Sequence, residues 1–222
     1  MSNFDTGPDC WYREVCTNEC NGSCIRYLEM SYLMDHSNIP KNLQTPKKLI
    51  PDSCDFDTFT KLAEIKSNIT EFVKEGRSLY ICGRTTGNGK TSWAIKILLK
   101  YFDSVWPGNG FRTRGVFVHV PTFLLKCKDF NNKDPEFEEL KQSILTADLV
   151  VWDDIASTNI SAYDYSQLIM CLDARFSSGL SNIYTGNITD KENLTSALGA
   201  KLTSRILSVD TVKAVFLGGD RR

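Results

Sequence analysis

A glycine-rich loop that ends in lysine and threonine is the part of the sequence with the clearest chemistry. The segment Ser78-Leu-Tyr-Ile-Cys-Gly-Arg-Thr-Thr-Gly-Asn-Gly-Lys-Thr-Ser92 places this loop between a short apolar stretch and an amphipathic one. Glycines let backbone N–H groups turn towards a phosphate, and the N-terminus of the following helix adds its positive end. The Lys90 ammonium would then reach the β- and γ-phosphates, and the Thr91 hydroxyl would ligate Mg²⁺. The sequence therefore predicts a nucleotide site.

The loop departs in one respect from the strict pattern Gly-x4-Gly-Lys-Thr. Arg84 occupies the position of the first glycine, and Gly83 comes one residue too early. Either the loop is one residue longer than usual, or Gly87 makes its turn. The alternative is a chance Gly-Lys-Thr after a glycine turn, which the strand–loop–helix context disfavours.

Two acids end a second apolar stretch, Ala147-Asp-Leu-Val-Val-Trp-Asp-Asp-Ile155. Such a strand, following a phosphate loop, is typical of a Walker B motif, in which Asp153 holds Mg²⁺ largely through water and Asp154 orients the attacking water. An acidic strand end facing solvent is the alternative. The predicted cofactor-binding residues are Gly83, Thr86, Gly87, Asn88, Gly89, Lys90, Thr91, Ser92 and Asp153, with Thr91 and Asp153 as the Mg²⁺ ligands.

A cysteine cluster near the N-terminus is the second feature that could do chemistry. Cys10, Cys16, Cys20 and Cys24 supply four thiolates within fifteen residues. A closed set of four sulfur ligands is typical of structural Zn²⁺, and a unit this small needs such a staple to fold. The spacing lacks Cys-x2-Cys, so an iron–sulfur cluster and plain thiols stay open as alternatives. His36 is either a substitute ligand or a surface histidine. The four scattered cysteines are expected to be buried small hydrophobes.

The elements that must position these residues alternate along the chain. Short apolar strands at 78–82, 115–120, 148–152, 182–185 and 212–217 are separated by helical patterns, including 59–75, 90–102, 162–176 and 191–207. This alternation predicts an α/β fold with a parallel sheet between helices. We divide the chain into a cysteine-rich module (1–36), a linker (37–58) and an ATPase domain (59–222).

The overall composition bounds the class of protein. The chain has 222 residues, a formal net charge of −1 and 41% hydrophobic residues, close to an average globular protein. These values exclude a histone-like basic protein and a disordered chain. No apolar run approaches the roughly 18 residues of a membrane span, and the first residues do not form a secretory signal. We therefore expect a cytoplasmic protein without a membrane partner.

The motifs together resemble a known family. The phosphate loop and acid pair, followed by Ser181-Asn-Ile-Tyr-Thr-Gly-Asn187 and Leu198-Gly-Ala-Lys-Leu-Thr-Ser-Arg205-Ile-Leu, are similar to the AAA+ core of the DnaC/DnaI helicase loaders, above all the phage-encoded loaders of Gram-positive bacteria. The resemblance covers residues 76–222. It implies that Asn187 is the sensor 1 residue and that Arg205 is an arginine finger for the neighbouring subunit's nucleotide. Arg175 is a weaker second candidate for that contact.

The resemblance also implies a function. A loader of this kind uses ATP to place a hexameric replicative helicase of the DnaB/DnaC type on single-stranded DNA, and it self-associates through AAA+ interfaces in the host cytoplasm. The N-terminal module would bind the helicase, and Lys126, Lys128, Phe130 and Lys133 would face DNA. Asp154 stands where the family usually has Glu, which predicts slow hydrolysis. The alternatives are an IstB-like transposition ATPase and a nucleotide-gated DNA-binding adaptor with little hydrolysis.

Overall fold

Five short strands, each almost free of charged residues, form one parallel sheet. In this computed structural model, residues 10, 16–17, 24–45, 48–105, 110–129, 134–157 and 160–220 are described. The strands are β1 (Ser78–Cys82), β2 (Gly115–His119), β3 (Leu149–Asp153), β4 (Ser181–Gly186) and β5 (Thr211–Val215). Their order across the sheet is β2-β3-β4-β1-β5, and every neighbouring pair is parallel. The predicted α/β fold is confirmed.

Helices cover both faces of the sheet. They are α1 (Ile25–Asp35), α2 (Phe56–Ser67), α3 (Ile69–Lys74), α4 (Lys90–Val105), α5 (Val120–Cys127), α6 (Pro135–Thr146), α7 (Ala162–Ser177), α8 (Lys191–Leu198) and α9 (Ala200–Ile206). Successive residues of β1 point to opposite faces. Leu79 and Ile81 pack in one apolar cluster with α1 to α4, whereas Tyr80 and Cys82 pack in the other with α5 to α9. Among the described helices, none has the length and hydropathy needed to cross a membrane.

Two helices predicted as continuous are interrupted. The predicted helix over 191–207 breaks at Gly199, whose φ of 82° and ψ of 157° lie outside the helical region. The predicted helix over 59–75 begins earlier, at Phe56, and breaks at Asn68, where φ is −107° and ψ is 24°. Apolar spacing alone did not reveal either break, because the residues beyond it keep facing the same core.

Helix α1 packs against the same apolar cluster as α4. Met30, Leu33 and Met34 are buried in that cluster. The turn after α1 is tied to β2, because the Phe117 N–H donates to the Ser37 carbonyl at 2.7 Å. This helix therefore packs in the same core as residues 59–222, although the sequence division placed it in the N-terminal module. The division at residue 36 stays a prediction.

The scattered cysteines are mostly core residues. Cys82, Cys127 and Cys171 are buried, and burial raises the pKa of each thiol to about 11. These thiols therefore stay protonated at neutral pH and act as small hydrophobes. Cys54 is the exception, since it is exposed.

Candidate nucleotide-binding site

A cavity of about 440 Å³ lies beside the carboxyl ends of β2, β3 and β4 and the start of α4. In parallel α/β sheets ligands bind at this edge, because the loops that follow the strands converge there. The lining residues are Asn42, Leu43, Thr45, Leu49, Thr86, Gly87, Asn88, Gly89, Lys90, Thr91, Ser92, Ile95, His119, Asp153, Asp154, Thr185 and Asn187. All the predicted nucleotide-site residues except Gly83 and Arg205 are thus brought together.

The phosphate loop encloses its own lysine. The Lys90 ammonium donates to the carbonyl oxygens of Gly83 at 3.2 Å and Thr85 at 2.9 Å, and to Asn88 Oδ1 at 3.0 Å. The residue is only 8% exposed. A buried ammonium needs such acceptors, and phosphate oxygens would replace them when a nucleotide enters the loop.

Three glycines shape the loop for different reasons. Gly87 and Gly89 have φ values of 72° and 98°, which favour glycine. Gly87 therefore makes a turn in the loop, as one of the two sequence interpretations required. Gly83 is needed for close packing, because a Cβ there would lie 2.7 Å from the carbonyl oxygen of Phe216. Gly83 thus supports the loop from behind and does not line the cavity.

The predicted Mg²⁺ site lies at one end of the cavity and is formed by the side chains of Thr91, Asp153 and Thr185. Asp153 Oδ1 accepts hydrogen bonds from the hydroxyls of Thr91 and Thr185, each at 2.7 Å. Burial raises the pKa of the Asp153 carboxyl, and these two donors oppose the shift. The hard oxygens of Thr91 and Asp153 fit the preference of Mg²⁺ for oxygen ligands.

Thr185 was missed by the sequence interpretation, although its contacts are central to the site. It is 2% exposed, and its Oγ1 also accepts a hydrogen bond from the Asp154 N–H at 2.9 Å. One hydroxyl on β4 therefore fixes both acids at the end of β3. The signal that could have revealed it is its place in the Ser181–Asn187 segment, two residues before the predicted sensor.

The backbone turns sharply after β3. Asp154 has a φ of 60°, a left-handed conformation that Asp tolerates better than most residues. Ile155 then donates its N–H to the Thr185 carbonyl at 2.9 Å. The turn places Asp154 at the wall of the cavity. Backbone strain of this kind is typical of functional sites.

Two further polar residues follow neighbouring strands. Asn187 comes directly after β4 and lines the cavity, as the resemblance implied. His119 ends β2, pairs in register with Asp153, and has Nδ1 2.8 Å from Thr122 Oγ1. Sequence reasoning missed His119, since a lone histidine carries little signal without the strand register.

The segment predicted as a linker forms one wall of the cavity. Asn42, Leu43, Thr45 and Leu49 line it, with Leu43 closing a short 3-10 helix, Lys41–Leu43. Leu49 lies close to the phosphate loop, because a Cβ at Gly89 would be 3.0 Å from its Cδ1. Spacing within the sequence gave no sign of this wall, as it depends on the path of the chain after α1.

The two arginine candidates differ in surroundings. Arg205, on α9, pairs with Asp173 at 2.6 Å and lies over the Phe176 ring at 4.4 Å, with a partly exposed side chain. It does not line the cavity. Arg175 is fully buried. It donates to Asn182 Oδ1 and to the carbonyls of Ile144, Ala147 and Ser181.

Arg175 is therefore wrong as a second candidate for a contact with a neighbouring subunit. Its guanidinium is held inside the domain by these four acceptors, all of them within hydrogen-bond distance. Its loss would leave these buried acceptors without their donor, so Arg175 has a structural role inside the domain.

The described part of the N-terminal cysteine cluster does not form a metal site. Cys10 is half-buried against the core, Cys16 is exposed and Cys24 immediately precedes α1, whereas Cys20 lies outside the described residues. In the described ranges, the group of potential ligand atoms close enough for one ion is Asp52, Cys54 and Asp55. His36 stacks on Tyr32 with ring centroids 4.0 Å apart. The zinc site stays a prediction.

The segment predicted to face DNA has its described lysines in ion pairs. Lys126 pairs with Asp134 at 3.2 Å, and Lys128 pairs with Asp164 at 2.9 Å. Phe123, at its start, is buried. The predicted contacts through Phe130 and Lys133 lie outside the described residues.

The strand order and the glycine loop between β1 and α4 define an α/β core of the P-loop type. The fold is similar to a DnaC helicase loader (TM-score 0.64, 18% identity, 80% of this chain and 99% of that one) and to DnaI (0.61, 19%, 84% and 95%). It is also similar to the replication initiator DnaA bound to AMPPCP and single-stranded DNA (0.60, 13%), covering 80% of this chain and 51% of that chain.

Sequence comparison adds nothing to these structural similarities. No family profile matches this chain, and no curated protein matches it. At 13 to 19% identity the similarities establish the fold. The expected resemblance to DnaC/DnaI-like loaders is confirmed at that level.

Proposed function

We propose that this protein is an ATPase that loads a replicative DNA helicase onto single-stranded DNA. The observation that carries the ATPase part is the 2.7 Å contact between Thr91 and Asp153 in the cavity that also contains Lys90. The fold similarity to a protein named as a helicase loader, and to an initiator solved with single-stranded DNA, supports the partners.

Lys90 and the phosphate loop would bind the triphosphate. The ammonium exchanges the loop carbonyls for the β- and γ-phosphate oxygens, and the backbone amides of Gly87 to Gly89 lie beside them. Thr91 and Asp153 would hold Mg²⁺, which neutralises the charge that develops on the phosphates. The hydroxyl proton of Thr91 now points at Asp153, so this contact would reorganise when the metal binds.

Asp154 and Asn187 would position the attacking water. Both line the cavity, on the strand ends next to Asp153. The carboxylate of Asp154 orients the water and polarises it, while the Asn187 amide contacts the water or the γ-phosphate. Because Asp is one methylene shorter than Glu, we propose that hydrolysis is slow.

The linker wall would take the nucleoside. Leu43, Leu49 and Ile95 supply apolar surface in the cavity, and Asn42 supplies an amide that could bond a purine edge. An apolar wall with one polar group is the usual composition of a site for a planar base.

Assembly would complete the site. In the proposed oligomer, Arg205 of one subunit reaches the nucleotide of the next, which would make hydrolysis depend on self-association. The helicase would be held by the N-terminal module and released after hydrolysis. A nucleotide-gated adaptor is the second candidate, favoured by the short side chain of Asp154.

The proposal is tested by ATP turnover and helicase loading measured on the same preparation. We expect turnover that increases with protein concentration and with single-stranded DNA. We also expect ATP-dependent transfer of the host's replicative helicase onto a single-stranded circle. ATP binding and helicase loading without turnover would favour the adaptor, and absence of helicase binding would contradict the loader.

A further inference from the structure

A second groove lies on the opposite side of α4 from the sheet and has no role in the proposed reaction. It measures about 650 Å³ and is formed by α2, α4 and the linker. Its apolar lining is Leu49, Phe59, Ala63, Trp93 and Leu99, and its polar lining is Thr60, Lys66, Lys96 and Lys100. Three cations thus surround a mainly apolar surface.

Two of these lysines line the groove from different helices, Lys66 from α2 and Lys96 from α4. Lys100 pairs with Asp103 at 2.9 Å. Within the described ranges, Lys66 and Lys96 have no carboxylate partner. Burial and the charge of Lys66 both lower the pKa of Lys96, so the two charges oppose each other. Such a pair raises the free energy of the isolated protein, and an anionic group between them would lower it.

The apolar part of the groove contains a second unsatisfied group. Trp93 is 6% exposed, and its indole nitrogen has no hydrogen-bond partner among the described residues. The Lys96 ammonium lies 5.5 Å from the Trp93 ring centroid. That nitrogen is itself buried, so the indole forms the floor of the groove, and ligand contacts fall to the more exposed groups around it.

We propose that this groove binds an amphipathic, acidic segment of a partner protein. Leucine-like side chains of the segment would cover Ala63 and Leu99, and its carboxylates would lie against Lys66 and Lys96. The apolar surface of the groove favours an amphipathic segment, and its cations favour an acidic one. A nucleic acid fits less well, because the largest aromatic ring, Trp93, is buried and offers no open face on which a base could stack.

The test uses a defined probe, a fluorescein-labelled helical peptide of about 16 residues with leucines on one face and glutamates on the other. Its binding to the full chain is measured by fluorescence anisotropy at about 0.15 M salt. We expect a dissociation constant in the micromolar range, and at least tenfold weaker binding for Lys66→Glu and for Lys96→Glu. Lys191→Glu, an exposed change on α8, is the matched control and should bind normally.

A third variant guards against misfolding. Ala63→Glu places an acid on an exposed helical position of the groove, so it should repel the peptide while circular dichroism stays unchanged. ATP binding is measured in parallel, and its retention separates this proposal from the nucleotide site.

Three results would overturn the proposal. The first is no binding of the acidic peptide, or equal binding of a version with lysines in place of glutamates. The second is tighter binding of labelled oligo-dT that is lost in the same variants, which would make the groove a nucleic-acid site. The third is a loss of self-association in Lys66→Glu and Lys96→Glu, measured by sedimentation velocity. That result would show that the groove binds a second copy of this chain.

Discussion

Arg205 Nε donates to Asp173 Oδ1 at 2.6 Å, so α9 and α7 are joined by an ion pair within one subunit. Lys201 contacts the other oxygen of the same carboxylate, also at 2.6 Å. These two donors hold the pKa of Asp173 below its usual range. The side chains of Arg205 and Asp173 are about 30% exposed, and exposed pairs contribute little free energy. A neighbouring subunit's phosphate could therefore compete for Arg205.

Arg205→Ala should bind ATP normally and lose hydrolysis on the order of 1,000-fold, because an arginine finger acts only on the transition state. The matched control is Lys201→Ala, which removes the other cation beside Asp173 and should keep the parental turnover. Both are measured as steady-state phosphate release at a protein concentration that supports assembly. If Arg205→Ala kept the parental turnover and only its melting temperature fell, the ion pair between Arg205 and Asp173 would have a structural role alone.

Lys90→Ala should weaken ATP binding roughly 100-fold, because Lys90 is the loop cation that lines the cavity, whereas Arg84 is exposed and lies outside its lining. The comparison is Lys96→Ala, six residues along the same helix on the groove side, which should bind ATP like the parent. Titration calorimetry with Mg-ATP measures both. If Lys90→Ala and Lys96→Ala bound Mg-ATP with equal affinity, the assignment of the phosphate loop to the nucleotide site would be wrong.

The parts of this site that could be predicted from sequence are those whose chemistry is local. The glycine loop with Lys90 is recognisable because its residue types and their spacing act together within a few positions. Thr185 and Leu49 are different, since each matters only through a partner far away in the chain. Thr185 meets Asp153 because β3 and β4 pair in parallel register, and no short pattern contains that information.

The same reasoning explains the interruption at Gly199. Hydrophobic spacing reports which side of a segment is buried, and both α8 and α9 bury the same side. A backbone conformation with φ of 82° leaves that spacing almost unchanged. The glycine itself was the available signal, since glycine is the residue that adopts such values without strain.

Thr185→Val should lower kcat at least tenfold with a small effect on ATP affinity. The change removes one donor from Asp153 and leaves the Asp154 N–H without its acceptor, which frees both acids from their positions. Thr185→Ser keeps the hydroxyl and should restore most of the turnover. Single-turnover kinetics separates the chemical step from binding. A serine variant as slow as the valine variant would show that packing by the methyl group is what matters.

Asp153→Asn should stabilise the protein without ligand while abolishing Mg²⁺-dependent hydrolysis. Burial raises the pKa of this carboxyl in the folded state, so its ionisation lowers the free energy of unfolding at neutral pH. This loss becomes smaller as the pH decreases, because the carboxyl is then protonated in both the folded and the unfolded protein. We expect a gain on the order of 1 kcal/mol near neutral pH and a smaller gain near pH 4. Thermal unfolding at both pH values measures it, with the exposed Asp129→Asn as control. A gain that does not shrink at low pH would contradict this explanation.

The cysteine cluster should hold one metal ion per chain if the sequence prediction is right. Cys16 is exposed and Cys10 is half-buried, so neither thiol is fully enclosed by the core. Elemental analysis of protein purified without chelator should then give one Zn²⁺ per chain, and the Cys20→Ser variant should contain none. Because α1 is held in the apolar cluster by its own buried side chains, we expect it to stay in place when the metal is lost, so that ATP binding is unchanged and only helicase binding is affected. The control is Cys54→Ser, which changes an exposed cysteine outside the cluster and should keep the metal. Metal-free parental protein would contradict the zinc prediction, and a brown protein absorbing near about 400 nm would indicate an iron–sulfur cluster.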